Sequence, residues 1–235
     1  MGWMNDFTEY MKNDPVYRGA HHDQLTFSMV YAYSEKFMLS LSHDEVVHLK
    51  GSMYTKMPGT PEQKMANLRL AYAYQMVHPG KKLLFMGQEF GQEKEWNEKQ
   101  SLSWELLEDK KHLQLKNYMA ALHAFYKANP ALYQLDEKPE GFEWINADDG
   151  DRSIYSFVRK SPTKRNNLLV VCNFTPVERP DYRVGVPKKK QYTLVLDENG
   201  QTAKKVFKAE KQDCDNRPFS FAYPLPPYGV AVFEF

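Results

Sequence analysis

Apolar and polar positions along this chain change rhythm part-way through. Phe37-Met38-Leu39-Ser40-Leu41 and Lys82-Leu83-Leu84-Phe85-Met86 are short, mostly apolar runs with the length and composition of buried strands. An aromatic-rich stretch from Asp23 to Tyr33 precedes the first run and is predicted to be helical. Between the two runs, Thr60 is placed to cap a helix, with Pro61 at its first position and Gln63 completing a capping box. That helix should run to about His78, where Pro79-Gly80 stops it. Strand, loop, helix, strand is the order of a parallel βαβ unit, whose strands are apolar on both faces. A second helix is predicted from about Lys110 to Ala128, ended by Asn129-Pro130.

From about Leu135 the texture becomes short β-branched and aromatic runs separated by turn residues, the pattern of an antiparallel β domain. Phe142 to Asn146 and Ser153 to Arg159 flank the hairpin turn Asp148-Asp149-Gly150-Asp151. Leu168 to Phe174, Tyr192 to Leu196, Val206-Phe207 and Val230 to Phe235 supply further strands, and Asn199-Gly200 is a second turn signal. The expected class is therefore α/β plus all-β, with a boundary dividing 1–132 from 133–235.

Both buried runs end in polar chemistry. Ser42-His43-Asp44-Glu45-Val46-Val47-His48 follows the first, and Gly87-Gln88-Glu89 follows the second. If the strands are parallel, these groups lie at one end of the sheet, where a parallel barrel places its site-forming loops. Two other readings compete for the first cluster. Asp44 could be a helix N-cap beside a partly buried His43. Glu45-x-x-His48 has the spacing of di-iron bundle ligands, but no second copy occurs, and His43 and His48 are too far round a helix to make a zinc-protease pair. The polar loop from Gly91 to Leu107 carries Trp96 and Trp104, each able either to stack on a sugar ring or to anchor the loop to the core.

Composition narrows the partners. The 31 basic and 30 acidic residues leave a net charge of +1, with no field to gather nucleic acid or anionic lipid. The run Lys188-Lys189-Lys190 reads as a solvated turn. A 42% hydrophobic and 26% charged composition is that of a folded chain with a real core. Two cysteines, Cys172 and Cys214, make no disulfide framework, so a cytoplasmic setting is expected. No segment approaches the roughly 18 apolar residues of a membrane span.

Taken together, these motifs resemble the glycogen (1,4-α-glucan) branching enzymes of the α-amylase superfamily. The resemblance rests on Met1-Gly2-Trp3-Met4-Asn5-Asp6, Leu25 to Tyr31, Leu41 to His48, Pro79 to Gly87 and Gly141-Phe142-Glu143-Trp144. Cys172-Asn173-Phe174-Thr175 and Leu225-Pro226-Pro227-Tyr228-Gly229 extend it across essentially the whole chain. It implies the last two and a half units of a (β/α)8 TIM barrel followed by an antiparallel β-sandwich. It also implies α-1,4-glucan (glycogen) as substrate, with no cofactor and no metal. The reaction is a retaining double displacement in which a sugar 6-hydroxyl resolves the glycosyl-enzyme. The family's third acidic residue follows the seventh barrel strand in a His-Asp pair that matches His43-Asp44. Asp44 is then the expected transition-state stabiliser and His43 a hydrogen-bond donor to the same sugar, with Glu45, Glu89 and Trp96 as candidate substrate-binding residues.

Two departures accompany the match. The family's nucleophilic aspartate and acid/base glutamate lie upstream of the segment at which this chain begins, so the expectation is a C-terminal piece, catalytically incomplete alone, that packs against an N-terminal barrel partner. Leu49 also stands where the family usually has glycine, which puts the local loop conformation in question. A non-catalytic glucan-binding or complementation module and a hydrolytic amylase relative are the competing expectations.

Overall fold

The computed structural model describes residues 2–163, 165–202 and 204–235. Helix α1 (Gly2–Lys12), two single-turn helices α2 (Asp23–Thr26) and α3 (Ser28–Tyr31), and strand β1 (Met38–Leu41) are followed by another turn, α4 (Met53–Lys56). The long α5 (Pro61–Val77), β2 (Lys81–Leu84) and α6 (Lys110–Ala128) complete the first region. Phe27 interrupts the stretch predicted as one helix, its φ and ψ of −60° and −30° joining two separate turns. β1 and β2 pair in parallel, Met38 opposite Lys81 through Leu41 opposite Leu84, closing the expected βαβ unit.

The boundaries of α5 follow from its ends. Thr60 and Gln63 form a reciprocal capping box around Pro61 at the first turn, and the backbone turns extended at His78 before Pro79. From Leu70 to Val77 the helix is buried on every side rather than along one stripe. Its Gln75 amide donates to the carbonyls of Leu39 (2.9 Å) and Leu83 (3.0 Å), tying the helix to both parallel strands. Gly80, at φ +110° with Leu39 Cγ only 3.1 Å from where a Cβ would stand, allows the chain to turn directly into β2.

The second region contains β3 (Phe142–Asn146), β4 (Ile154–Arg159), β5 (Leu168–Asn173), β6 (Arg179–Val186), β7 (Gln191–Leu196), β8 (Val206–Lys208), β9 (Phe219–Leu225) and β10 (Val230–Glu234). Six of them form an antiparallel sheet in the order β3-β4-β5-β10-β7-β8, while β6 and β9 form a second, two-stranded sheet. The sequence reading missed β6 and β9 because each contains a proline, Pro180 or Pro224, that argues against a central strand. A sheet of two strands consists entirely of edges, where proline is tolerated, and the pairing slips between Arg179 and Tyr182 around Pro180.

The large sheet is covered on both faces. On β5, Leu168, Val170 and Cys172 join the core shared with α1 and α5, while Leu169 and Val171 join the core beneath β6 and β9. This is why β4 and β5 read as continuous apolar runs although their partners are antiparallel. The shared core is aromatic. Phe7, Tyr74 and Phe174 run from α1 through α5 to the β domain, with Tyr74 5.7 Å from Phe7 and 5.4 Å from Phe174 between ring centres.

Two buried guanidinium groups bind the regions to one another. Arg159, at the end of β4, donates to the carbonyls of Val77 (2.6 Å) and Leu132 (3.2 Å) and to Asp136 Oδ1 (2.6 Å). Arg18 donates to Met11 (2.9 Å), Asn13 (3.2 Å) and, across the interface, Phe174 (2.8 Å). Burial raises the Asp136 pKa, but Arg159 and Lys82 outweigh it and the carboxyl is held below its usual range. His78 is buried at the same junction, and burial pulls its pKa down from 6.5 to about 3, so the ring stays neutral.

Arg159→Met leaves Asp136 buried without its main partner, and a loss of about 3–5 kcal/mol in urea unfolding is expected. A pH series checks His78. Its folded pKa lies below its unfolded value, so unfolding takes up a proton between them. Stability should fall as pH drops from about 6.5 toward 3, by up to about 1.4 kcal/mol per unit from this group, and a His78→Gln variant should lack that component.

Candidate functional site

The loop after β1 begins with a short 3-10 turn over His43–Glu45. Its cap is Ser42, whose hydroxyl accepts from the Asp44 amide at 3.3 Å, so the sequence reading that made Asp44 the cap is corrected. His43 is also more open than that reading held, with 55% of its side chain exposed against 64% for Asp44. The two side chains meet, His43 Nε2 to Asp44 Oδ1 at 3.2 Å. Ser42 also donates to Asp44 Oδ2 at 3.3 Å, so the carboxylate is solvent-exposed but held between the serine hydroxyl and the imidazole.

The neighbouring acids lie differently. Glu45 is buried, and its carbonyl accepts from Lys56 Nζ at 2.6 Å. Glu89, after β2, turns its carboxylate back on its own loop to accept from Gly87 N at 2.8 Å. The structure thus joins Asp44 with His43, and the carboxylates of Glu45 and Glu89 do not line the cavity beside them.

That cavity, of about 340 Å³, is lined by His43, Val47, His48, Leu49 and the segment Glu95 to Lys99. The β1 loop and the loop following β2 therefore meet across it, as parallel strands require. Trp96 is half-buried with its ring edge-on to Phe85 at 5.2 Å, and Phe85 in turn lies 5.9 Å from the His43 ring. The Trp96 amide donates to Val46 O at 3.0 Å. So Trp96 both anchors its loop and presents a face to the cavity; an adjoining cavity of about 180 Å³ on the far side of its loop shares Glu95, Trp96 and Asn97. Trp104 instead rests on Phe90 at 5.3 Å and lines neither of these two cavities.

The loop closing this site has an unusual backbone. His48, Leu49 and Gly51 have φ of +55°, +68° and +73°, all in the left-handed region. For a leucine, that conformation costs roughly 1–2 kcal/mol. Its side chain is 97% exposed, so packing offsets none of this. The position flagged in the sequence is indeed one that glycine would occupy without strain. Polar contacts hold it instead: Glu95 Oε2 accepts from Leu49 N (3.2 Å) and Oε1 from Gly51 N (2.6 Å). Lys56, drawn below its usual pKa by burial, donates to the carbonyls of Glu45, Lys50 and Gly51. Sequence reading missed Glu95 and Lys56 because their partners are backbone atoms, which carry no residue signature.

Comparison with known proteins bears on the fold. Residues 144–235 match the family described as alpha amylase, C-terminal all-beta domain. The fold is shared with a pullulanase type I from Bacillus subtilis str. 168 solved with maltose (TM-score 0.72, 16% identity, all of this chain and 34% of that one). AmyP, also solved with maltose, aligns with TM-score 0.63 at 14% identity over 91% of this chain and 44% of its own. The chain therefore shares the fold of these two structures, with the C-terminal all-beta domain over residues 144–235.

In sequence, the similarity is to branching enzymes. The chain is 50% identical over its whole length to the 1,4-alpha-glucan branching enzyme GlgB of Butyrivibrio fibrisolvens, 47% to that of Halothermothrix orenii and 48% to that of Aquifex aeolicus. It spans 38% of the length of each of those three enzymes.

Leu49→Gly is expected to raise stability by up to about 1 kcal/mol, the relieved left-handed strain exceeding the extra freedom of glycine in the unfolded chain. Calorimetry reads this as a small upward shift in Tm; a downward shift would show that Leu49 is not strained.

Proposed function

We propose that this chain forms the stabilising side of an α-glucan branching site. The observation carrying this reading is that His43 and Trp96, delivered by loops after two adjacent parallel strands, line one open cavity, with the exposed carboxylate of Asp44 against the His43 ring. A ring on Trp96 would stack through its C–H face, while Asp44 and His43 hydrogen-bond its hydroxyls. Asp44 then favours the cationic, flattened sugar of the transition state. Glu45 and Glu89 serve to hold the two loops.

The nucleophile and the acid of a retaining reaction must flank one bond about 5–5.5 Å apart. With Asp44 as the stabiliser, two further carboxylates are needed, and among the described residues lining the cavity Glu95 is committed to the loop backbone, which leaves Glu98 alone. The reading therefore assigns both groups to the further length that the branching enzymes possess. A two-stranded parallel sheet is itself an incomplete unit, since such sheets are covered and extended on both sides. Exposed Phe27, Val30 and Met38 beside β1 fit a surface that neighbouring barrel elements cover. The free cysteines Cys172 and Cys214 suit a reducing cytoplasm.

The test is a linkage assay on amylose. The 235-residue chain alone should form no α-1,6 bonds, whereas a longer polypeptide including the relatives' additional length should form them. In that longer form Asp44→Asn should lower branching by at least about a hundredfold. Branching by the short chain would overturn the assignment, and release of short α-1,4 products instead of branches would identify a hydrolase. Should the chain act instead as a glucan-binding module, maltoheptaose affinity is the readout: Trp96→Ala should weaken it about tenfold, corresponding to the loss of one aromatic contact.

A further inference from the structure

We infer that Glu95 is a positioning residue, a carboxylate latch that holds the left-handed loop His48 to Gly51 and through it sets the His43–Asp44 pair. The inference rests on the glucan-site reading for its consequence but on loop geometry for its substance.

Three of four consecutive residues, His48, Leu49 and Gly51, have positive φ. Successive turns of this kind aim backbone N–H groups toward one point and create a small anion-binding concavity. Here the anion comes from the chain itself. Each oxygen of Glu95 takes one amide, from Leu49 at 3.2 Å and from Gly51 at 2.6 Å. Glu95 comes from the loop after β2, 46 residues beyond Leu49, so the latch ties together the two loops that enclose the cavity.

The residue between the latched amides carries the effect to the site. Lys50 donates from Nζ to the Asp44 carbonyl at 2.7 Å, and its own carbonyl accepts from the buried Lys56 ammonium at 2.5 Å. Glu95, the 49–51 backbone, Lys50 and Asp44 are thus one connected set of charge-assisted hydrogen bonds. Lys56 closes the loop from below by holding the carbonyls on either side, at Glu45 and Gly51. At the Lys50–Gly51 peptide its ammonium and the Glu95 carboxylate grip opposite ends of one dipole.

This arrangement has a specific logic. A glycine at 49 would adopt the left-handed backbone freely, and the loop would need little external support. Leucine does not, so the conformation depends on Glu95. The two positions must therefore be energetically coupled, as residues in one network are. A general structural role for Glu95 would not produce coupling to residue 49 in particular.

The experiment is amide hydrogen exchange by NMR on the full 235-residue chain, together with the pH titration of the His43 imidazole signal, for Glu95→Ala, Leu49→Gly and the double variant. Glu95→Ala should accelerate exchange at Leu49 and Gly51 at least tenfold and move the His43 resonance, with Tm changed by no more than about 2 °C because the loop is solvent-facing. Glu95→Gln, retaining one acceptor oxygen, should fall between. In the double variant the two amides still lack their acceptor and exchange stays fast, but Leu49→Gly should return the His43 signal because the loop backbone no longer needs the latch. Unchanged exchange in Glu95→Ala overturns the latch. Faster exchange with an unmoved His43 signal overturns its reach to the site, and a His43 signal displaced equally in Glu95→Ala and in the double variant overturns the coupling to Leu49. A wild-type chain that fails to bind maltoheptaose would count against the glucan reading, and these measurements would still decide the latch.

Discussion

The central strands β4, β5 and β10 of the large sheet are buried on both faces, and the rest of the structure depends on that constraint. One side lies against β6 and β9, and the other against α1 and α5, so the region bearing the candidate site and the β domain share a single core. Neither region could be removed without exposing the aromatic layer of Phe7, Tyr74 and Phe174. Buried hydrogen bonds fix the relative orientation: Arg159 and Arg18 satisfy carbonyls at the ends of elements on both sides of the boundary. A guanidinium does this well because its planar fork serves several acceptors at once and stays charged when buried. The β domain therefore acts as a fixed bed for α5, and α5, through Gln75, fixes β1 and β2.

From β1 and β2 the site follows by geometry. Parallel pairing brings both following loops to one end of the sheet, and their lengths let Trp96 reach the loop that carries His43. What the site can do then depends on which groups are free. Ser42 relieves Asp44 of capping, Lys56 and Glu95 hold the backbone, and the exposed carboxylate and imidazole remain available. Structural residues thereby absorb the backbone's hydrogen-bonding demands and leave the Asp44 and His43 side chains exposed, paired with one another.

Much of this was legible in the sequence, for identifiable reasons. α5 could be read from both ends because its signals are local: Thr60, Pro61 and Gln63 at the start and Pro79-Gly80 at the stop. Parallel pairing followed from the order of elements, and the strain at Leu49 from a departure at one position. The strands β6 and β9 stayed hidden because Pro180 and Pro224 signal exclusion from a sheet interior but say nothing against an edge. The roles of Glu45, Glu89 and Glu95 were hidden for another reason. All are glutamates beside the same loops, and their burial and backbone partners depend on the tertiary fold, so residue type alone could not separate the one that latches from the others.

The central claim is that the ends of β1 and β2 form a glucan site on this chain, and a titration of isotopically labelled protein with maltoheptaose, followed by NMR, tests it most directly. The account expects saturable shifts at His43, Asp44 and the Trp96 indole, with the β domain unmoved. A comparable open cavity of about 360 Å³ lies at the junction of the two regions, lined by Asp14, Gln63, Arg179 and Tyr228 among others. Shifts confined to that cavity, with His43 and Trp96 silent, would contradict the account.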